Sequence, residues 1–196
     1  MSVKRDLRQM AMEDVLVLGE ADGAVAQQST AEDALAALSP AERERVLTIA
    51  ARRLAFQVLF ELDSRRDADA TDAAAILSRA RGITPEQVQS LVVLVAGAHG
   101  VRKEADAAYQ QIAPEWPSHR MAPVDRAILR LAYFEMTGTD THPKIVINEA
   151  VELAKSFSSE KSPAFVNGLL DRLMKGLGLG DKKKAPPTDS EADLEP

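Results

Sequence analysis

The stretch MAPVDRAILRLAYFEM, residues 121–136, decides the fold class. Val124, Ala127, Ile128, Leu129, Leu131, Ala132, Phe134 and Met136 leave it apolar nearly all round when wound as a helix. Such a helix belongs in the middle of a bundle, where neighbours cover every side. Its polar stripe is narrow: Arg126, Arg130, Tyr133 and, one residue on, Thr137.

Working outward, further helices are expected on both sides. Toward the N-terminus, SPAE at 39–42 is a start signal: Ser39 caps, Pro40 fits the first turn and Glu42 completes a capping box. A long helix runs from there to about Asp63, and a shorter one covers about 71–81. TPEQ at 84–87 repeats the signal and opens a helix to about Ala113, bent at Gly97 or Gly100. PEWPS is a loop. Beyond the central helix, 143–157 is amphipathic: Val146, Ile147, Ala150, Val151, Ala154 and Phe157 on one side, Lys144, Asn148, Glu152 and Lys155 on the other. A last helix covers 163–176. No strand alternates convincingly, so the chain reads as all-α, with six or seven helices.

Within that last helix, FVNGLLDRL at 165–173 keeps Gly168 among apolar residues at helical spacing. A glycine there costs roughly 1 kcal/mol relative to alanine. Close approach of a second helix would offset that cost, and this is the preferred reading; a break into two short helices is the alternative.

Composition agrees with helix. The 196 residues are 45% hydrophobic but only 4% aromatic, and cysteine is absent, which excludes disulfides and thiolate metal sites. The apolar run LVVLVAGA at 91–98 is far too short to span a membrane, and acidic residues interrupt any signal-like N-terminus. The chain reads as soluble and cytoplasmic. Its net charge of −6 sits at the ends: residues 1–39 hold three basic and seven acidic residues, and 180–196 hold three and five, leaving 40–179 neutral. Three parts follow: an extension at 1–39, weakly helical or mobile; a helical domain at 40–179; and a disordered charged tail at 180–196. A neutral domain has no strong overall field for nucleic acid, so any RNA contact must be local.

The first long helix carries the best local cluster. Arg45, Ile49, Arg52, Phe56 and Phe60 step by three or four along one side, with Arg53 beside them. Arginine forks match phosphates, and guanidinium planes and aromatic rings stack on splayed bases. The plainer alternative puts the phenylalanines in the core and the arginines on a solvated surface.

ARRLAFQVLFELD (51–63), MAPVDRAILRLAYFEM (121–136) and PKIVINEAVELAKSFSSEKSPAFVNGLLDRL (143–173) together resemble the NusB family of bacterial transcription antitermination factors, in order and in spacing. The resemblance covers about 40–176 and leaves 1–39 as an addition. It implies an all-α domain of two packed helical bundles, no enzyme activity and no cofactor. It also implies partners: NusE, a small-subunit ribosomal protein; the single-stranded boxA element of nascent ribosomal RNA; and elongating RNA polymerase with other Nus factors.

The family's arginine-rich segment falls at the start of the first long helix, ending in Arg52 and Arg53. Thr48, Ile49 and Ala50 stand where further basic residues are expected, with Arg43 and Arg45 upstream. Weak RNA binding by this chain alone is therefore expected. The resemblance places Lys155 and Lys161 beside the RNA, and Phe60 and Asp125 at the NusE interface. An acid at a helix start also suits the helix dipole. Asn148 and Asn167 match family asparagines and are read as hydrogen-bonding between helices, and Gly168 matches the family's FVNG motif. Being acidic, residues 1–39 could shield the arginine helix until RNA or NusE displaces them.

Catalysis finds no foothold. His99, His119 and His142 form no helical metal pair, and no metal site is expected. GLGLGDK at 176–182 has neither strand before it nor helix after it. NusB-like domains also occur fused to RNA methyltransferases, but this chain has no room for the α/β domain that such an enzyme needs. The alternative function is a protein–protein adaptor with weakened or lost RNA binding.

Overall fold

The computed structural model describes residues 7–13, 17–18, 33–65, 71–81 and 84–180. Of the tail expected at 180–196, residues 181–196 lie outside the described residues, as do residues 19–32 of the extension. The elements are α1 (Leu7–Glu13), β1 (Val17–Leu18), α2 (Pro40–Ser64), α3 (Asp72–Leu77), β2 (Ala80–Arg81), α4 (Pro85–Gly100), α5 (Arg102–Ile112), a 3-10 turn at Ser118–Arg120, α6 (Pro123–Gly138), α7 (Pro143–Phe157) and α8 (Ser162–Gly176). The two short strands pair antiparallel, Val17 opposite Arg81 and Leu18 opposite Ala80.

The fold is all-α apart from that ladder, and α6 lies at its centre. It packs on α2, α4, α5, α7 and α8. Ala127, Ile128, Leu129, Leu131, Ala132 and Met136 are all buried. Both anticipated capping boxes form. Ser39 and Glu42 exchange bonds at α2, with Ser39 N–H donating to the Glu42 carboxylate at 3.0 Å. Thr84 and Gln87 do the same at α4, at 2.9 Å.

The expected helix from 84 to 113 is two helices. Val101 leaves the helical region at φ −88°, ψ 9°, directly after Gly100. The Arg102 guanidinium donates to the His99 carbonyl at 2.7 Å, satisfying an acceptor at the break.

The stripe on α6 is an ion-pair hub rather than a solvated edge. Arg130 donates to Asp63 of α2 at 2.6 Å and to Asp106 of α5 at 2.6 Å. Arg126 reaches the same Asp63 at 3.3 Å. One guanidinium thus ties three helices. Beside it, the buried Tyr109 hydroxyl donates to the Leu129 carbonyl at 2.8 Å, and burial pushes its pKa well up.

Close approach at a glycine does occur, but at another place. A methyl added at Gly97 of α4 would lie 2.2 Å from Phe134 Cζ, and one at Gly138 would lie 2.8 Å from Phe134 Cε2. The ring is seated between the two glycines. A methyl at Gly168 would meet nothing within 4 Å. The packing explanation for Gly168 is therefore corrected, and so is the alternative of a break, since α8 runs unbroken through it.

Described parts of the N-terminal extension dock on the bundle. Met10 and Ala11 of α1 are buried against α2. Ala34, Leu35 and Leu38 pack on the core.

Candidate nucleic-acid and partner interface

The start of α2 exposes Arg43, Arg45 and Thr48, because Val46, Ile49 and Ala50 turn inward. Arg43 is held by its own chain, donating to the carbonyls of Leu35 at 3.1 Å and Ala36 at 3.3 Å. Arg45 remains at the surface.

The next two arginines are differently placed. Arg52 Nε donates to the Glu135 carboxylate of α6 at 2.8 Å, with only 11% of the Arg52 side chain exposed. Arg53 is 3% exposed. The expectation that both present guanidinium groups to an outside phosphate is corrected. Arg52 neutralises an acid inside the bundle, and Arg53 shares the buried face of Ile49 and Phe56. The Glu135 carboxyl is raised above its ordinary value, chiefly by burial and further by the charge of Glu149, against the opposing pull of Arg52.

Phe56 is core, as its plainer reading had it, whereas Phe60 is 36% exposed. Its ring lies 6.5 Å from Phe56, which lies 5.2 Å from Phe157 at the end of α7. This line of rings links Phe60 to the loop 158–161.

Asp125 shapes that loop. Ser158 Oγ donates to one carboxylate oxygen at 2.6 Å and Ser162 Oγ to the other at 2.9 Å. At 6% exposure, Asp125 is spent on its own chain; its expected place on a partner-facing surface is corrected. The loop it fixes presents Lys161, which is exposed. Lys155 is exposed too, and pairs loosely with Glu152 at 2.8 Å. Asn148 and Asn167 are exposed, and neither side chain has a hydrogen-bond partner among the described residues, contrary to the interhelical role expected of them.

Sequence reading missed one feature beside Lys161. Trp116, 46% exposed, stands edge-on to Phe165 with ring centroids 5.7 Å apart. Phe165 lies one turn along α8 from Lys161 and bonds back to its carbonyl at 3.3 Å. A lone tryptophan in the proline-flanked loop PEWPS was the available signal.

The histidines are scattered: His99 is buried in α4, His119 lies in the 3-10 turn and His142 caps α7, accepting from the Lys144 N–H at 3.2 Å. Among the described residues no group of His, Asp and Glu is placed to hold a metal ion, and no helix is long and apolar enough to cross a membrane.

Fold and surface together define a helical bundle built around one apolar helix, with cations and aromatic rings exposed on its outside. Residues 49–175 match the model of the NusB family, and the chain belongs to that family. It is 41% identical over 128 residues to the transcription antitermination protein NusB of Anaeromyxobacter dehalogenans, covering 65% of this chain and 89% of that relative. The Streptomyces coelicolor protein of the same name is 41% identical over 126 residues, covering 63% and 89%. Among solved structures, T. maritima NusB aligns with a TM-score of 0.59 at 30% identity, covering 65% of this chain and 89% of that one. The solution structure of NusB from Aquifex aeolicus aligns at 0.58 and 26% identity, covering 73% and 97%.

Proposed function

We propose that the chain is a transcription antitermination factor that holds boxA-type single-stranded RNA of nascent ribosomal transcripts jointly with NusE, within the elongating RNA polymerase complex and its other Nus factors. The observation that carries this reading is the family match over 49–175. The surface is compatible with it. Arg45, Lys155 and Lys161 are exposed cations for phosphates. The Trp116–Phe165 pair offers a face on which a splayed base can stack. Phe60 offers an apolar contact for NusE.

The chain's own grip on RNA is weak in this reading, because Arg52 and Arg53 are committed inside the bundle. The same observation favours a second reading: an adaptor that binds NusE and has lost RNA affinity. Capture of the chain by immobilised NusE, with and without boxA RNA, separates the two. RNA-dependent gain in capture supports antitermination through RNA; NusE capture with no such gain supports the adaptor. Failure to capture in either condition contradicts both.

A further inference from the structure

We propose that the seam between α2 and α7 is a docking site for an amphipathic protein segment that sets an arginine or lysine among apolar side chains, and that α1 occupies it in cis. α1 lies against α2 with Met10 and Ala11 buried. It reaches α7 through a forked bond from Arg8 to the Glu149 carboxylate, at 2.8 and 3.2 Å. The contact is therefore opposite in sign to an acidic shield over arginines: the extension supplies the cation and the bundle supplies the acid.

The chemistry of the seam selects the occupant. Arg52 neutralises Glu135 at 2.8 Å, and Glu149 lies close enough to bear on the Glu135 carboxyl. Withdrawal of Arg8 takes its cation away from the Glu149 carboxylate, while Arg52 stays paired with Glu135. That surface repels phosphates and attracts an arginine or lysine flanked by apolar side chains, which is the pattern of Leu7, Arg8, Met10 and Ala11.

α1 is also suited to exchange. It has seven residues, and a helix that short does not hold itself in water. Its contacts with the bundle include the buried Met10 and Ala11, the partly buried Leu7 and the Arg8–Glu149 pair, with Arg8 29% exposed. The reading is independent of RNA binding, since neither the seam nor its probe involves nucleic acid.

The test uses a fluorescent peptide spanning residues 3–18, VKRDLRQMAMEDVLVL, and the full chain. Arg8→Glu with Met10→Asp opens the seam without touching the bundle. The opened chain is expected to bind the peptide at least about tenfold more tightly than the wild type, and adding Glu149→Lys is expected to abolish that gain. Excess boxA-type RNA is expected to leave the peptide bound. Equal binding to wild-type and opened chains, binding to neither, insensitivity to Glu149→Lys, or displacement by RNA would each overturn the proposal. Hydrogen exchange on the unmodified chain gives a second check. The α1 amides are expected to exchange at least about tenfold faster than those buried in α2, and a common rate for both overturns the exchange of α1.

Discussion

Replacing Arg52 with alanine separates a structural arginine from an RNA-binding one. Arg52 and Glu135 have 11% and 6% of their side chains exposed and meet at 2.8 Å. Removing one partner of a pair so enclosed strands the other charge, at about 3–5 kcal/mol. With a urea slope of roughly 1–3 kcal/mol/M for a small domain, even the lower figure moves the unfolding midpoint down by roughly 1–3 M. The loss is pH-dependent, and its sign follows from Glu135. Its carboxyl is raised above the ordinary 4.5, burial being the first cause. A carboxyl raised on folding contributes stability below its unfolded value and loses it as pH climbs through the folded value. Without Arg52 the folded value climbs further. The deficit of the variant is therefore largest near neutrality and shrinks on acidification toward 4.5. Arg45→Ala is the control: its exposed position keeps stability within about 0.5 kcal/mol, while RNA binding loses roughly one contact from its salt slope. Urea melts at neutral and mildly acidic pH decide the matter. An Arg52→Ala chain that unfolds at the wild-type midpoint, yet loses RNA affinity, would refute the assignment of Arg52 to the core.

The two glycines should respond in opposite directions. Gly97→Ala forces a methyl into the Phe134 ring and is expected to destabilise by up to about 2 kcal/mol after the helix-propensity gain is set against overpacking; Gly168→Ala, with open space, is expected to stabilise by about 0.4–1 kcal/mol. Thermal melts of the two variants check this. Asp125→Ala leaves the Ser158 and Ser162 hydroxyls without their acceptor and should cost about 1–3 kcal/mol, with faster hydrogen exchange confined to the loop 158–161. Arg130→Ala takes from Asp106 its partner and leaves Asp63 to Arg126 alone, and should cost about 3–5 kcal/mol, read from its urea midpoint.

What could be read in the sequence was what local pattern determines. The apolar surround of α6 placed it at the centre, and the Ser39–Glu42 and Thr84–Gln87 spacings marked two helix starts, because each signal spans only a few residues. Partners distant in sequence escaped. Gly97 and Gly168 look alike in their helices, and only the fold brings the Phe134 ring to one of them. Arg52 looks like half of a solvated basic pair until α6 supplies Glu135. An acid on an otherwise apolar helix was the signal that could have exposed this pairing. Asp125 read as a helix-start acid open to a partner, whereas Ser158 of the loop and Ser162 at the start of α8 occupy both its oxygens.

The most direct test is a salt titration of boxA-type RNA against the chain alone and with NusE. Arg45, Lys155 and Lys161 are the exposed cations assigned to phosphates, so the chain alone should bind weakly with a slope near −2 in log K against log salt. Adding NusE should tighten binding and steepen the slope. Nanomolar affinity of the chain alone at physiological salt, with a slope of about −4 or steeper, would contradict the shared grip.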